Sequence, residues 1–165
     1  MIVGSPYNDG PTTNSGAAYV FLPNSSPWSQ SQWTEKQKLV ASDSVNLALF
    51  GSAVGISYDG TAVIGAMFDD DLGFRAGSAY TFSKSGTTWS QETKLQGSLL
   101  VPDTGALDQF GATVAISGWS GIPTAIIGAP TADTHGEKVG LAYMFAKPTT
   151  TWVEQDRVAY VGGEV

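Results

Sequence analysis

The chain is organised around residues 65–82, which read Gly65-Ala66-Met67-Phe68-Asp69-Asp70-Asp71-Leu72-Gly73-Phe74-Arg75-Ala76-Gly77-Ser78-Ala79-Tyr80-Thr81-Phe82. Related stretches occupy residues 4–21 and 128–145. In each copy two glycines stand 12 residues apart, and a tyrosine follows the second glycine by three residues. Each unit of such a repeat needs its neighbours to bury its apolar face. The sequence therefore predicts a repeat protein.

The repeat extends beyond this core on both sides. Phe50-Gly51 and Phe110-Gly111 open the second and third copies, and each copy has a tryptophan six residues before an aliphatic residue near its end. These tryptophan–aliphatic pairs are Trp33 with Leu39, Trp89 with Leu95, and Trp152 with Val158. The sequence predicts an incomplete first repeat with a linker at 1–49, a complete repeat at 50–109, and a complete repeat with a tail at 110–165, all within one domain or part of one.

The second copy predicts four β-strands. Alternating or continuous apolar runs are bounded by turn residues, and Asp59-Gly60 is typical of a tight hairpin. The predicted strands are Ser52–Ser57, Thr61–Ala66, Ser78–Ser83 and Thr88–Leu95. The first copy predicts only the last three of them, at Ile2–Ser5, Ala17–Leu22 and Gln32–Leu39. We therefore expect an all-β chain of four-stranded antiparallel meanders.

Composition narrows the class of protein. The chain has 165 residues, of which 42% are hydrophobic and 14% charged, with 20 glycines and no cysteine. Its net charge of −7, without a run of lysine and arginine, argues against nucleic acid as a partner. No apolar run approaches the roughly 20 residues of a membrane span, so we expect no membrane insertion.

Three motifs together carry a family resemblance: Phe-Gly at positions 50–51 and 110–111, Gly128-Ala129-Pro130, and the Gly-x-Ala-Tyr-x-Phe strand. This combination resembles FG-GAP repeats, which form the blades of the integrin-α β-propeller and of many exported bacterial proteins. The bacterial form is the more similar. The resemblance implies β-propeller blades and an extracellular or cell-surface location. It also implies a non-enzymatic adhesion or recognition module that binds a protein or a glycan through rim loops.

The number of repeats leaves an alternative open. Closed propellers use about 4 to 8 blades, whereas this sequence carries two complete repeats and an incomplete one. Either the chain is part of a longer protein or copies of it assemble. In the second case the chain is a structural protomer of an extracellular filament or sheath, and a strand from a neighbouring copy completes its first repeat.

One acidic loop suggests calcium as a cofactor. The resemblance implies a calcium loop between the first two strands of a blade, but the turns at 57–60 and 117–121 lack its ligands. Carboxylates are instead concentrated in another loop, and calcium takes six to eight oxygen ligands. The candidate metal ligands are Asp69, Asp70 and Asp71, with Asp9 and Asp133 at the repeat position of Asp70. The alternative is that the recurring aspartate caps its own loop by an Asx-turn.

The aromatic residues fall into two groups, those that recur at the same position of the repeat and those that do not. The recurring ones are predicted to be core residues: Trp33, Trp89, Trp152, Tyr19, Tyr80 and Tyr143. Those that do not recur are the candidates for ligand binding: Trp28, Tyr58, Phe74 and Trp119. An exposed aromatic ring stacks on a sugar or anchors a protein interface, and the alternative is local packing at the rim. We predict no catalytic residues, since the single histidine, His135, has no nucleophile motif near it.

Overall fold

The computed structural model describes residues 1–24, 32–97, 107–118, 121–134 and 137–159. These residues form β-strands, turns and loops, and contain no helix. The strands are β1 (Ile2–Ser5), β2 (Ala17–Pro23), β3 (Trp33–Leu39), β4 (Phe50–Ile56), β5 (Ala62–Ala66), β6 (Ser78–Ser85), β7 (Thr88–Leu95), β8 (Thr113–Ser117), β9 (Thr124–Ala129), β10 (Asp133–Thr134), β11 (Glu137–Lys138), β12 (Leu141–Ala146) and β13 (Val153–Ala159).

The strands form three antiparallel sheets in chain order. The first sheet has the order β1-β2-β3, the second β4-β5-β6-β7, and the third β8-β9-β12-β13. The all-β prediction of four-stranded meanders is confirmed. The short hairpin β10–β11 in the loop of the third sheet was not predicted.

The second sheet is packed on both faces. All five residues of its strand β5 are buried, as the continuous apolar run predicts. One face contributes Ile64, Tyr80 and Phe82 to a core shared with the first sheet. The other contributes Val63 and Leu95 to a core shared with the third sheet. The second sheet therefore buries apolar residues against both of its neighbours in the series.

Glycines let adjacent sheets approach at backbone distance. A Cβ added to Gly65 would overlap the carbonyl oxygen of Gly111, and one added to Gly4 would overlap that of Gly51. The amide of Phe110 also donates a hydrogen bond to the carbonyl of Ala76, at 2.8 Å. The Phe-Gly pair that opens one sheet is therefore seated on the framing glycines of the preceding sheet.

The recurring aromatics are buried in the second and third sheets but not in the first. Trp89 and Trp152 are 3% and 6% exposed, and Tyr80 and Tyr143 are also buried, which confirms those predictions. Trp33 is 38% exposed, so its prediction as a core residue was wrong. The reason is its position: Trp33 lies on the face of the first sheet that no other described sheet covers.

Candidate functional site

Three carboxylates from two separate segments meet beside the second sheet. Asp69 and Asp71 lie in the loop between β5 and β6, and Asp43 lies in the connection between β3 and β4. One oxygen from each of them lies within 4.8 Å of the others. The acidic-loop prediction included Asp69 and Asp71 but missed Asp43, because the sequence does not show that the preceding connection folds back over this loop.

The side chain of Lys94 occupies the centre of this acidic cluster. Its Nζ lies 2.7 Å from Asp43 Oδ2 and 3.1 Å from Asp69 Oδ2, and it also contacts Asp71 Oδ2. An ammonium group surrounded by carboxylates takes the place that a metal ion would take. A divalent cation would therefore have to displace Lys94 before it could use these oxygens.

Asp69 is the buried member of the cluster. Its Oδ1 accepts hydrogen bonds from Ser78 Oγ at 3.0 Å and from the amide of Asp71 at 3.2 Å, and its Oδ2 accepts one from Tyr80 Oη at 3.0 Å. The side chain is only 2% exposed. Its oxygens thus join the loop to strand β6, which is a structural role whether or not a cation binds.

The pKa values of Tyr80 and Lys94 are both raised in this cluster. Burial, reinforced by the charges of Asp69 and Asp43, raises the pKa of the Tyr80 phenol. Burial alone would lower the pKa of Lys94, but its hydrogen bonds to Asp43 and Asp71 outweigh this and raise it. At neutral pH the phenol is therefore a neutral donor and Lys94 is a charged one.

The first and third sheets can be compared with the second at the positions of Asp69, Tyr80 and Lys94. Each pairs its tyrosine with a cation across two strands, as Tyr19 with Lys38 and Tyr143 with Arg157. In the first sheet Asn8 takes the place of Asp69: its Nδ2 donates to Tyr19 Oη at 3.1 Å, and its Oδ1 accepts from Lys38 Nζ at 2.8 Å. In the third sheet the position holds Ala132. Among the described residues, the second sheet alone therefore builds the acidic form of this recurring site.

The aspartate that recurs among the repeats has a different role. Asp70 Oδ1 accepts a hydrogen bond from the amide of Arg75 at 2.6 Å, and Asp9 Oδ1 accepts one from the amide of Asn14 at 3.0 Å. Arg75 and Asn14 both have positive φ angles, of 55° and 48°. These two aspartates each bond the amide of a left-handed residue five positions on and so close their own loops, whereas the Asx-turn of the alternative would bond the amide two positions on.

Asp133, at the same repeat position, differs from the other two. It lies in β10, and its Oδ1 is buried without a hydrogen-bond partner among the described residues. The three recurring aspartates belong to three separate sheets, and none of them lies in the acidic cluster. The structure therefore does not bring Asp9, Asp70 and Asp133 together into one site.

Replacing Lys94 tests whether the acidic cluster can hold a metal. We expect Lys94→Gln to bind Ca²⁺ at least tenfold more tightly than the wild type, because the variant removes the competing ammonium and leaves three carboxylates. Isothermal titration calorimetry would measure both affinities. Lys38→Gln, at the equivalent position beside Asn8, is the control and should not change Ca²⁺ binding. Equal affinities for Lys94→Gln and the wild type would contradict this interpretation.

The predicted ligand-binding aromatics lie at opposite ends of the second sheet. Tyr58, 90% exposed, lies in the turn between β4 and β5, and Phe74, 59% exposed, lies in the loop between β5 and β6. Successive connections of a meander alternate between its ends, so one flat ligand cannot contact both residues. Trp28 and Trp119, the other two candidates, lie outside the described residues, as does His135.

Exposed apolar side chains concentrate at the Phe74 end. Leu47 and Leu107, each three residues before a Phe-Gly pair, are exposed and have positive φ angles of 63° and 81°. Such angles are uncommon for residues other than glycine and cost free energy, so they persist only where the surrounding structure imposes them. Sequence reasoning missed these leucines, although their equal spacing from Phe-Gly is a signal that it could have used.

These leucines lie in a strip of loop residues that contact one another. The guanidinium of Arg75 lies 4.4 Å from the ring centroid of Phe68 and 5.0 Å from that of Phe74. The carbonyl of Phe74 accepts a hydrogen bond from the amide of Leu107 at 2.7 Å. The amide of Phe68 donates a hydrogen bond to the carbonyl of Ala48, the residue after Leu47. We call this strip the loop ridge, formed by Leu47, Phe68, Phe74, Arg75 and Leu107.

A cleft between the second and third sheets, lined partly by Asp108, Phe110 and Tyr143, has a volume of about 10 Å³. That is about the space of one water molecule. In the described part of the chain, no helix has the length and apolar character needed to cross a membrane.

Comparison with known proteins identifies the repeats. The family model described as FG-GAP repeat matches residues 33–82 and 89–145, which together make up more than half of the chain. No curated protein matches the sequence. The matched segments contain the acidic cluster and the whole loop ridge.

Proposed function

Because the chain belongs to the FG-GAP repeat family, whose members are typically extracellular adhesion or recognition modules, we propose that it is a recognition module that binds a protein or a glycan through its loop ridge. Repeats of this family are also generally non-enzymatic. The proposed module therefore acts by binding alone, at the cell surface or outside the cell.

The observation that carries this proposal is the composition of the ridge. Leu47, Phe74 and Leu107 expose apolar surface on the loops that connect the strands. Continuous exposed apolar surface rimmed by polar residues is typical of interaction sites. Connecting loops held by a rigid scaffold are also where binding residues concentrate.

The chemistry of the ridge favours a protein over a glycan. Aromatic rings such as Phe74 serve either partner, but two exposed leucines offer nothing to sugar hydroxyl groups. A protein partner would bury them, and Arg75, held against two rings, would add a cationic donor at the same surface. Calcium enters the proposal only as a candidate cofactor that would stiffen the loop of Asp69 to Asp71 beside the ridge.

Charge substitution on the ridge tests the proposal. The immobilised protein would be screened against arrays of extracellular proteins and of glycans. For any ligand that binds, we expect the double variant Leu47→Asp/Phe74→Asp to weaken binding at least tenfold, because both side chains would lie in the apolar contact. Tyr58→Asp, at the opposite end of the same sheet, is the matched control and should bind like the wild type. Loss of binding only in Tyr58→Asp would place the contact at the other end.

A structural protomer is the second candidate function. Its support is strand β1, which pairs with β2 and, among the described strands, with no other. An unpaired strand edge is a template for strand addition from another chain. This function predicts long polymers in electron micrographs of the purified protein, whereas the recognition module predicts that a single chain binds its ligand.

A further inference from the structure

The second sheet shows which residues on each face of a sheet are buried by a neighbouring sheet. It has a neighbour on both sides, and the residues that face those neighbours are buried. Towards the third sheet these residues are Val63, Thr81 and Leu95, and towards the first they are Ile64, Tyr80, Phe82 and Trp89. The repeat spacing gives an equivalent for each of them in the first and third sheets, so the same faces can be compared there.

The outer face of the third sheet presents the same half of the interface, but no other described sheet packs against it. Ile126 occupies the position of Val63 and is 51% exposed, whereas Val63 is 0% exposed. Met144, paired in register with Ile126, occupies the position of Thr81 and is exposed as well. Val158, at the position of Leu95, is also exposed. The face is therefore apolar where the repeat requires a neighbouring sheet.

The outer face of the first sheet presents the other half of the interface, with residues equivalent to those that the second sheet packs against the first. Val3 occupies the position of Ile64 and is 44% exposed, whereas Ile64 is 0% exposed. Tyr19, paired in register with Val3, and Phe21 lie on the same face and are only partly buried. Trp33, at the position of the buried Trp89, borders them. One chain thus carries both complementary halves of an interface that it uses twice internally.

We propose that a second copy of this chain occupies these faces, with the third sheet of one copy packed against the first sheet of the next. The contact has the same arrangement as the two interfaces within the chain. Ile126 of one copy, at the position of Val63, would meet Val3 of the next copy, at the position of Ile64. Such a contact is heterologous, so it forms a ring if the rotation closes and a filament if it does not. Unlike strand addition at β1, it joins sheets face to face.

The contact should be weaker than the interfaces inside the chain. Inside the chain a Phe-Gly pair from the next sheet is seated on the framing glycines, as Gly111 is on Gly65. The first sheet has three described strands, and these include no Phe-Gly pair that could be seated on the third sheet of another copy. In the third sheet, a Cβ added to Gly128 would meet only the side chain and backbone of Thr113. We therefore expect association that depends on concentration in the micromolar range.

Sedimentation velocity with charge variants tests this arrangement. The wild type should gain mass between roughly 1 and 500 µM, a range in which contacts of micromolar affinity form. Ile126→Asp blocks the third-sheet face and Val3→Asp blocks the first-sheet face, so each variant alone should stay monomeric. An equimolar mixture should form dimers and nothing larger, because each variant retains the half that the other lacks.

Two controls separate association from folding. Both replaced residues are exposed, so thermal unfolding of the variants should match that of the monomeric wild type. Tyr58→Asp, away from both faces, should associate like the wild type. A wild type that stays monomeric at every concentration, or variants that associate unchanged, would overturn the proposal. Dimers formed by either variant alone would also overturn it, because they would mean a symmetric contact.

Discussion

Replacing Asp69 by alanine is expected to lower the free energy of unfolding by about 3 to 4 kcal/mol. The carboxylate is buried and accepts hydrogen bonds from Ser78, Tyr80 and Lys94. Removing one partner of a buried ion pair costs about 3 to 5 kcal/mol, and each buried donor left without an acceptor costs about 1 to 3 kcal/mol more in unfavourable cases. We take the lower part of this range because Lys94 keeps Asp43 and Asp71 as partners.

The first sheet supplies the control for this experiment. Asn8 holds the equivalent position and bonds to Tyr19 and Lys38, so an amide fits this site without a change of shape. Asp69→Asn should therefore cost only about 1 to 2 kcal/mol, the difference between a charged and a neutral acceptor. Urea unfolding with linear extrapolation would measure both variants. If Asp69→Ala were no less stable than Asp69→Asn, the buried carboxylate would not organise the loop.

Replacing Gly65 by alanine is expected to separate the second and third sheets. The added Cβ would overlap the backbone carbonyl of Gly111, which cannot move as a side chain can. Overpacking in a well-packed core costs about 1 to 3 kcal/mol. We expect the upper end because Gly65 lies in β5 and the backbone of Gly111 is itself held by a hydrogen bond from its amide to the carbonyl of Gly128. Urea unfolding would measure the loss. Near-ultraviolet circular dichroism would report the packing of Phe110 against Tyr143, whose ring centroids lie 5.1 Å apart.

Gly128 is the matched control, since it occupies the position of Gly65 in the third sheet. A Cβ at Gly128 would meet the hydroxyl of Thr113, an exposed side chain that can rotate away. Gly128→Ala should therefore change the free energy of unfolding by less than about 1 kcal/mol. Equal losses for the two variants would mean that the alanine acts through its own strand and that contact between sheets is not the cause.

The fold was predictable because its signals are local and repeated. The alternation of Tyr80 and Phe82 with small residues, the Asp59-Gly60 turn and the constant glycine spacing each specify a strand or a turn within a few residues. Repetition then excluded chance. The hairpin β10–β11 was missed because its two-residue strands are too short to show a period.

The candidate site was predicted only in part. Asp69 and Asp71 were visible as an acidic loop, and the loop-closing role of Asp9 and Asp70 was foreseen, although each bonds an amide five residues on. Asp43 and Lys94 were not assigned to the site, because they are 26 and 23 residues away from Asp69 and Asp71 in sequence. Their convergence depends on how the connection between the first two sheets folds.

The repeat unit, its strands and the small residues at which sheets meet could be predicted from the residues alone, because they depend on spacing within one chain segment. Which residues are covered depends on how the sheets pack together. Trp33 and Trp89 occupy the same position in their repeats, yet one is exposed and the other buried, since burial depends on the neighbouring sheet. The same holds for Lys94, which acts as the cation of the acidic cluster because two separate segments bring their carboxylates to it.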